Sequence, residues 1–405
     1  MSPAATTPRA RLTPYQYKLF AFLSVATFFE GFDYVALTQL LGPIRDAYGL
    51  SYAEGSVMVS AINIGAVAAY ALIRHADVAG RRRVLSLTIA GYTLFSFASA
   101  FATNAYMFGF LQFLARMFLL AEYAISMVYV MEEFPADRRA FAVGLIQGVN
   151  SLGSIVCAGL VPLLLKLPWG FRSVYLVGGL PLVLVMILRR SIRETQRFLD
   201  KPPGAPPSLW RLFRTPHWRR LPLLASIWAL TYLCTYVLLN NFKDFAQLER
   251  GYSDQQVSFA VMIAALGSMP LVFMSGKLLD AIGRKPGAAV IMLATSLATV
   301  VTFTAHAYWV LVLGLTGCIF GASAVLPVLN AITLELFPTD VRAEGYGWSN
   351  NLLGRIGYIA GPSFVGVLAE ALGVGGATAL TAVFPLLALV LIVWRVPETR
   401  GTELG

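Results

Sequence analysis

Charge is what this chain has least of. Only 13% of its 405 residues are charged, against 57% hydrophobic, whereas soluble domains carry about 25% charged residues. The shortfall runs the whole length, which excludes an ordinary water-soluble domain and makes lipid the solvent for most of the chain. Cysteine is scarce too. Cys157, Cys234 and Cys318 each stand alone in an apolar stretch with no Cys-x-x-Cys and no histidine nearby. That argues against a disulfide framework or a metal site, and they read as small core residues. The three histidines, His75, His217 and His306, fall at loops or span ends. No cluster of metal ligands and no nucleophile with a base is visible, so a membrane enzyme is disfavoured and no cofactor is expected.

What the chain has is apolar length. A membrane-crossing helix needs about 20 mostly apolar residues. Twelve such runs lie near 17–41, 56–74, 84–102, 106–131, 140–165, 171–190, 220–242, 256–279, 287–305, 308–334, 343–369 and 373–395. The first is too long for a signal-peptide core, which spans about 7–15 residues, and reads as a retained helix. The expected fold is all-α integral membrane, twelve helices in two six-helix bundles. The widest polar gap holds Lys201-Pro202-Pro203-Gly204-Ala205-Pro206-Pro207, a semi-rigid spacer. It suggests a first bundle at 1–195, a cytoplasmic linker at 196–218 and a second bundle at 219–405.

The formal net charge is +10. Of the 31 Lys and Arg, 24 fall in the tails and alternate loops on one side, five fall opposite, and Arg116 and Arg355 lie within spans. Basic loops face the cytoplasm, so both termini are expected there. The basic excess is thus a topology signal, with no nucleic-acid partner implied.

Loop sequences repeat at one offset. Asp77-Val78-Ala79-Gly80-Arg81-Arg82 returns 203 residues later as Asp280-Ala281-Ile282-Gly283-Arg284-Lys285. Glu132-Glu133-Phe134-Pro135-Ala136-Asp137-Arg138-Arg139 returns, at the same offset, as Glu335-Leu336-Phe337-Pro338-Thr339-Asp340-Val341-Arg342. After spans 6 and 12, Arg193-Glu194-Thr195 faces Pro397-Glu398-Thr399. Three matches at essentially one offset indicate parallel repeats about an axis along the membrane normal. Asp77 and Asp280 sit beside arginines at helix ends, where charge-assisted bonds can either latch helices or only set topology.

On these loops the chain resembles the major facilitator superfamily over essentially its whole length. Its signature, Gly-x-x-x-Asp-Arg-x-Gly-Arg-Arg/Lys, is matched by Gly276, Asp280, Gly283, Arg284 and Lys285, with Ala281 for Arg. The first copy keeps Asp77, Gly80, Arg81 and Arg82, with Ile73 and Val78 at the departures. The Glu132–Arg138 and Glu335–Arg342 loops and the closing Pro397-Glu398-Thr399-Arg400-Gly401 are similar to the sugar-porter and organic-ion branches.

Charges inside a membrane are functional candidates by default. Glu30 and Asp33 in span 1 are three apart and share a helix face. In low dielectric they repel, so one is expected to hold a proton near neutral pH. Glu30-Gly31-Phe32-Asp33 resembles the Asp-Gly-Phe/Tyr-Asp motif of aromatic-acid and related metabolite:proton symporters, with Glu30 for the first Asp. Proton coupling is assigned to Asp33, with Glu30 and Glu122 as further candidates. Arg116 is expected to pair with Asp33 or bind substrate. Arg355 has no intramembrane acid in its own half, which suggests an anionic substrate. Gln147, Asn150, Tyr232, Tyr236, Asn240, Asn241, Asn350 and Asn351 are candidates to line the cavity, although an interhelical hydrogen bond is an equal reading for each.

The expectation is therefore a proton-coupled symporter of a small organic anion, an aromatic or sugar acid or similar carboxylate, working by alternating access. Its partners would be that anion, the proton and lipid. It is expected to be monomeric and to lie in a bacterial inner membrane. The rivals are an exporter of drugs, lipids or sugars and a facilitative uniporter. The glycine-proline signature of drug antiporters in span 5 is absent, Pro162 standing alone.

Overall fold

The computed structural model describes residues 12–188, 193–194, 209–338 and 341–398. Twelve helical spans cross it. In the first half they are α1 (Pro14–Tyr48), α2 (Tyr52–Ala79), α3 (Arg81–Ser99), α4 (Ala105–Glu133), α5 (Ala136–Leu164) and α6 (Phe171–Leu188). In the second half they are α7 (Leu221–Asp244), α8 (Asp254–Ile282), α9 (Arg284–Thr304) and α10 (Tyr308–Leu336), followed by α11 (342–372) and α12 (374–395). Eight stretches are long and apolar enough to cross a membrane, the last being Arg342–Arg395. That 54-residue stretch contains two spans, because Gly373 adopts φ 73° and turns the chain back. With α3, α5 and α6 the twelve expected runs are accounted for.

Local signals set the boundaries. Thr13 caps α1 in a reciprocal pair with Gln16, and Ser51 caps α2 with Glu54. Each pair satisfies helix-end N–H groups that would otherwise have no partner. Gly49 closes α1 in the left-handed region at φ 65°. Pro43, Pro162, Pro270, Pro327 and Pro362 sit inside helices, which packed membrane helices tolerate. Large apolar side chains point outward, with Leu313, Leu297 and Leu94 exposed by 72, 66 and 61%. Water would penalise such a surface; acyl chains solvate it.

Helices pack as the repeat predicts. α1 lies on α5 and α3 on α4, while α7 lies on α11 and α9 on α10. Between halves α2 meets α11 and α5 meets α8. Adding six to each number turns one set of pairs into the other, as a two-fold relation requires. Tyr15 accepts from the Arg193 amide and Gln16 donates to Glu133 O, so the start of α1, the end of α4 and the segment after α6 share one face. We call it the termini face. The far end of the connecting segment, Leu209–Arg214 and Pro216–Arg220, forms short 3-10 turns, and Trp210 and Phe213 stack on Trp348 of α11. The Pro-rich stretch, residues 201–207, falls outside the described residues.

The loop repeats have a physical basis. Gly80 and Gly283 precede α3 and α9 with φ 96° and 100°, values that glycine tolerates. Arg81 reaches Glu132 at 3.0 Å, and Arg284 reaches Glu335 at 3.1 Å. Glu194 accepts from the amides of Arg81 and Arg82, and Glu398 from those of Arg284 and Lys285. Each carboxylate thus sits on a helix N-terminus, where unpaired amides and the dipole favour negative charge. By sequence, Asp77 and Asp280 either latch the helices or only set topology. Among the described residues, glutamates from α4, from α10 and from the segments after α6 and α12 tie the helices of each half. Asp77 adds only a 3.3 Å contact to Arg81. Arg342 donates to Phe337 O and Lys285 Nζ to Val393 O. The side chains of Gly276's neighbour Lys277, of Asp280 and of Arg138 lie outside those described.

Candidate functional site

The site lies where α1, α2 and α4 face α7 and α11. α11 begins as a short α-turn, Arg342–Tyr346, and continues as a π-helix over Gly347–Gly354, directly before Arg355. Such segments are uncommon and concentrate at functional positions. Gly357 allows α11 to lie backbone-to-backbone on α7, since a Cβ there would collide with the Ala229 carbonyl. That contact holds Arg355 against the tyrosines of α7.

Two guanidiniums and four tyrosines make the centre. Arg355 lies 5.1 Å from the Tyr232 ring and 5.0 Å from that of Tyr358. Arg116, 4% exposed, lies 5.8 Å from the Tyr34 ring. The rings form a chain between them: Tyr34 to Tyr236 at 6.3 Å, Tyr236 to Tyr358 at 3.9 Å, and Tyr358 to Tyr232 at 6.0 Å. Cation–π contact stabilises each guanidinium in low dielectric without neutralising it. Among the described residues no carboxylate lies within ion-pair distance of either arginine, and Arg355 Nε is buried without a hydrogen-bond partner. The rings are fixed by hydrogen bonds. Tyr236 donates to Asn63 at 2.9 Å, and Asn63 Nδ2 donates to Tyr358 O at 3.3 Å. Tyr232 donates to Asn350, which donates to Tyr346, which donates to Asn330.

The expected Arg116–Asp33 pair does not form as an ion pair. Asp33, 6% exposed, turns towards Tyr92 and Ser96 of α3, and Arg116 acts on it only through its field. Glu30 points elsewhere, accepting from Asn150 Nδ2 at 3.3 Å, with Glu122 and Arg116 in its surroundings. So the two carboxylates of span 1, three residues apart, serve different neighbours. Glu122 is buried and accepts from Ser126 at 3.5 Å. α1 and α5 touch at the backbone, where Gly31 meets Asn150 and Gly153 meets Phe28, and this contact sets Glu30 beside Asn150.

Several expected cavity residues hold the halves together on the face opposite the termini. Thr38 donates to Asn240 at 2.8 Å, Tyr52 donates to Asn241 at 3.2 Å, and Asn241 donates to Thr378 at 3.1 Å. Arg45 and Asp244 form an ion pair at 2.7 Å with side chains 9% and 6% exposed. Lys243 bridges Asp254 at 2.9 Å and donates to Gln39 O. Ser60 and Ser363 meet at 2.7 Å. Asn351 has no hydrogen-bond partner among the described residues, and the Gln147 side chain lies outside those described. Sequence reasoning missed Tyr34, Tyr358 and the Arg45–Asp244 pair. The first two carried a faint signal: Tyr34 adjoins Asp33, and Tyr358 is three residues from Arg355 on one helix face.

Comparison with known proteins agrees with this architecture. The chain is 28% identical to the 4-hydroxybenzoate transporter PcaK of Pseudomonas aeruginosa, over 92% of this chain and 90% of that one. It is 29% identical to the 3-(3-hydroxy-phenyl)propionate transporter of Escherichia coli, over 88% and 87%. It is 26% identical to the sialic acid transporter NanX of Escherichia coli, over 91% of each. The partially occluded inward-open xylose transporter XylE of E. coli shares the fold, with TM-score 0.77 at 15% identity over 97% of this chain and all of that one. Residues 23–253 and 229–405 each match the Major Facilitator Superfamily, and with twelve helices in the packing just described the chain belongs to that family of membrane transporters.

Proposed function

We propose that this transporter is a proton-coupled symporter of a small organic anion, an aromatic or sugar-type carboxylate, and that it works by alternating access with both termini in the cytoplasm. One observation carries the reading. Two guanidiniums lie among tyrosine rings where the halves meet, and among the described residues no carboxylate is at ion-pair distance of either. A cation in the membrane interior without an anion is costly, so a site that keeps two is built for an anion that arrives. Ring faces beside the guanidinium suit a flat or ring-shaped acid. Relatives named for hydroxybenzoate, hydroxyphenylpropionate and sialic acid support the same class. Asp33, buried nearby on the same helix as Tyr34, is the proton carrier in this reading, with Glu30 and Glu122 as secondary carboxylates. The first six helices handle the proton and the second six hold the anion through Arg355.

The test is uptake into proteoliposomes under an imposed pH gradient, across a panel of aromatic and sugar acids. Arg355→Ala should raise KM about 10–100-fold, the loss expected for one charge-assisted contact. Asp33→Asn should abolish accumulation against a gradient while substrate exchange at equal pH continues. Accumulation that ignores the gradient, or that survives both changes, overturns the proposal.

A further inference from the structure

A small hollow lies inside the first half, apart from the central arginine–tyrosine cluster. Its wall is formed by Phe32, Asp33 and Ala36 of α1, Tyr92 and Ser96 of α3, and Val174, Tyr175 and Gly178 of α6. None of the central tyrosines or arginines borders it. Its volume suits about one water molecule, which needs two to four polar partners. Four are present: the Asp33 carboxyl and the hydroxyls of Tyr92, Ser96 and Tyr175. The Tyr175 hydroxyl is the independent sign. Its residue is 3% exposed, it borders the hollow, and the hydroxyl has no hydrogen-bond partner among the described residues. A buried hydroxyl left in that state costs about 1–3 kcal/mol unless something in the hollow meets it.

We infer that this hollow binds one water molecule, and that this water, not the substrate, is the direct partner of the Asp33 carboxyl when its proton comes and goes. The water accepts the Tyr175 hydroxyl hydrogen and donates to Asp33 when the carboxyl is ionised. When the proton arrives as hydronium, the water passes one proton to Asp33 Oδ and takes one from the hydronium, which leaves as water, so its own composition is unchanged. The titratable and charged groups around Asp33 are Glu30 of α1, Tyr92 of α3, Arg116 of α4, Cys157 of α5 and Tyr175 of α6. Of these, Arg116 alone also belongs to the central cluster, at the Tyr34 ring. Substrate and proton therefore communicate through the guanidinium and the α1 backbone, without touching.

The inference rests on Asp33 as the proton carrier, and two measurements separate its failure from failure of that reading. The first is infrared difference spectroscopy of the full-length protein through a pH jump, in ordinary and oxygen-18 water. Titration of the Asp33 carboxyl should carry with it a bound-water O–H band that shifts with the isotope. The band should be absent in Asp33→Asn, in Tyr175→Phe, and in Gly178→Ala, whose methyl narrows the hollow against Phe32. An Asp33 band without an accompanying water band overturns the inference, even if transport proves proton-coupled. The second compares gradient-driven uptake with counterflow at equal pH. Tyr175→Phe should slow driven uptake about fivefold, the effect of one water-mediated contact, and change counterflow much less. Equal loss of both would assign Tyr175 to the fold or the substrate and overturn the inference. A parent protein indifferent to the gradient would sink the proton-coupling proposal, and the infrared result would still decide the water.

Discussion

At the scale of the residue, the length of helix before a side chain sets how deep it lies, and the rotation of that helix sets what it meets. Counting along a helix at 1.5 Å per residue placed Glu30, Asp33, Arg116 and Arg355 near mid-membrane, and all four are held in the interior. It could not say which neighbour each would meet, because that depends on how separate helices are rotated about their axes. Asp33 and Glu30 share a face by spacing, yet one meets α3 and the other α5. Arg355 stands alone as expected, and the Tyr232 and Tyr358 rings beside it add a specific demand on its shape. A guanidinium is planar, stacks on rings and grips a carboxylate with two parallel bonds, whereas an ammonium does neither. Arg355→Lys should therefore keep the charge and still raise KM about tenfold, measured as the concentration dependence of uptake. A KM equal to the parent's would reduce Arg355 to a point charge.

At the scale of the element, helix ends were legible and helix contacts were not. Thr13, Ser51 and Gly49 carry ordinary start and stop signals, and the offset of 203 correctly paired the loops. What the loops do emerged only in space: Glu194 and Glu398 seat the N-termini of α3 and α9, a task visible in sequence only as a recurring Glu-Thr. The π-helix before Arg355 has no sequence signature. The Arg45–Asp244 pair was hidden for a different reason. Its partners are 199 residues apart, and Arg45 read only as one of the five basic residues on the side opposite the tails. Its position makes it a lock between α1 and α7. Arg45 is wedged over Tyr52 and against Gly55, whose Cβ would strike the arginine side chain. Removing one partner leaves a buried uncompensated charge, at about 3–5 kcal/mol. Asp244→Ala should thus lower thermal stability in detergent and widen the distance between the outer ends of α1 and α7, read by spin labels. The double change Arg45→Leu with Asp244→Leu should recover the stability, since no charge is left unpaired, yet keep the wider distance. A double variant that stays closed would show that the neighbouring bonds, Thr38–Asn240 and Ser60–Ser363, hold the face shut without it.

At the scale of the whole molecule, symmetry and asymmetry divide the structure. Packing, loop bonds and helix order repeat from half to half, because both copies solve the same problem of tying six helices in lipid. The interior does not repeat at mid-span: among the described residues Glu30, Asp33, Glu122 and Arg116 lie there in the first half and Arg355 in the second, while the buried Asp244 and Glu344 of the second half sit near helix ends. The basic residues give the molecule its proposed direction, since the sequence assigns 24 of the 31 to the tails and alternate loops of one side. That direction can be checked directly, because the three native cysteines are all buried and an added surface thiol is read against a low background. Thr103, exposed between α3 and α4, lies on the face opposite the termini, and Arg214, exposed ahead of α7, lies on the termini face. In intact cells a membrane-impermeant maleimide should label Thr103→Cys and leave Arg214→Cys unlabelled until the cells are opened. The reverse pattern would invert the protein in the membrane. The Arg45–Asp244 lock would then close the cytoplasmic side, and the proton would have to reach Asp33 from the other compartment.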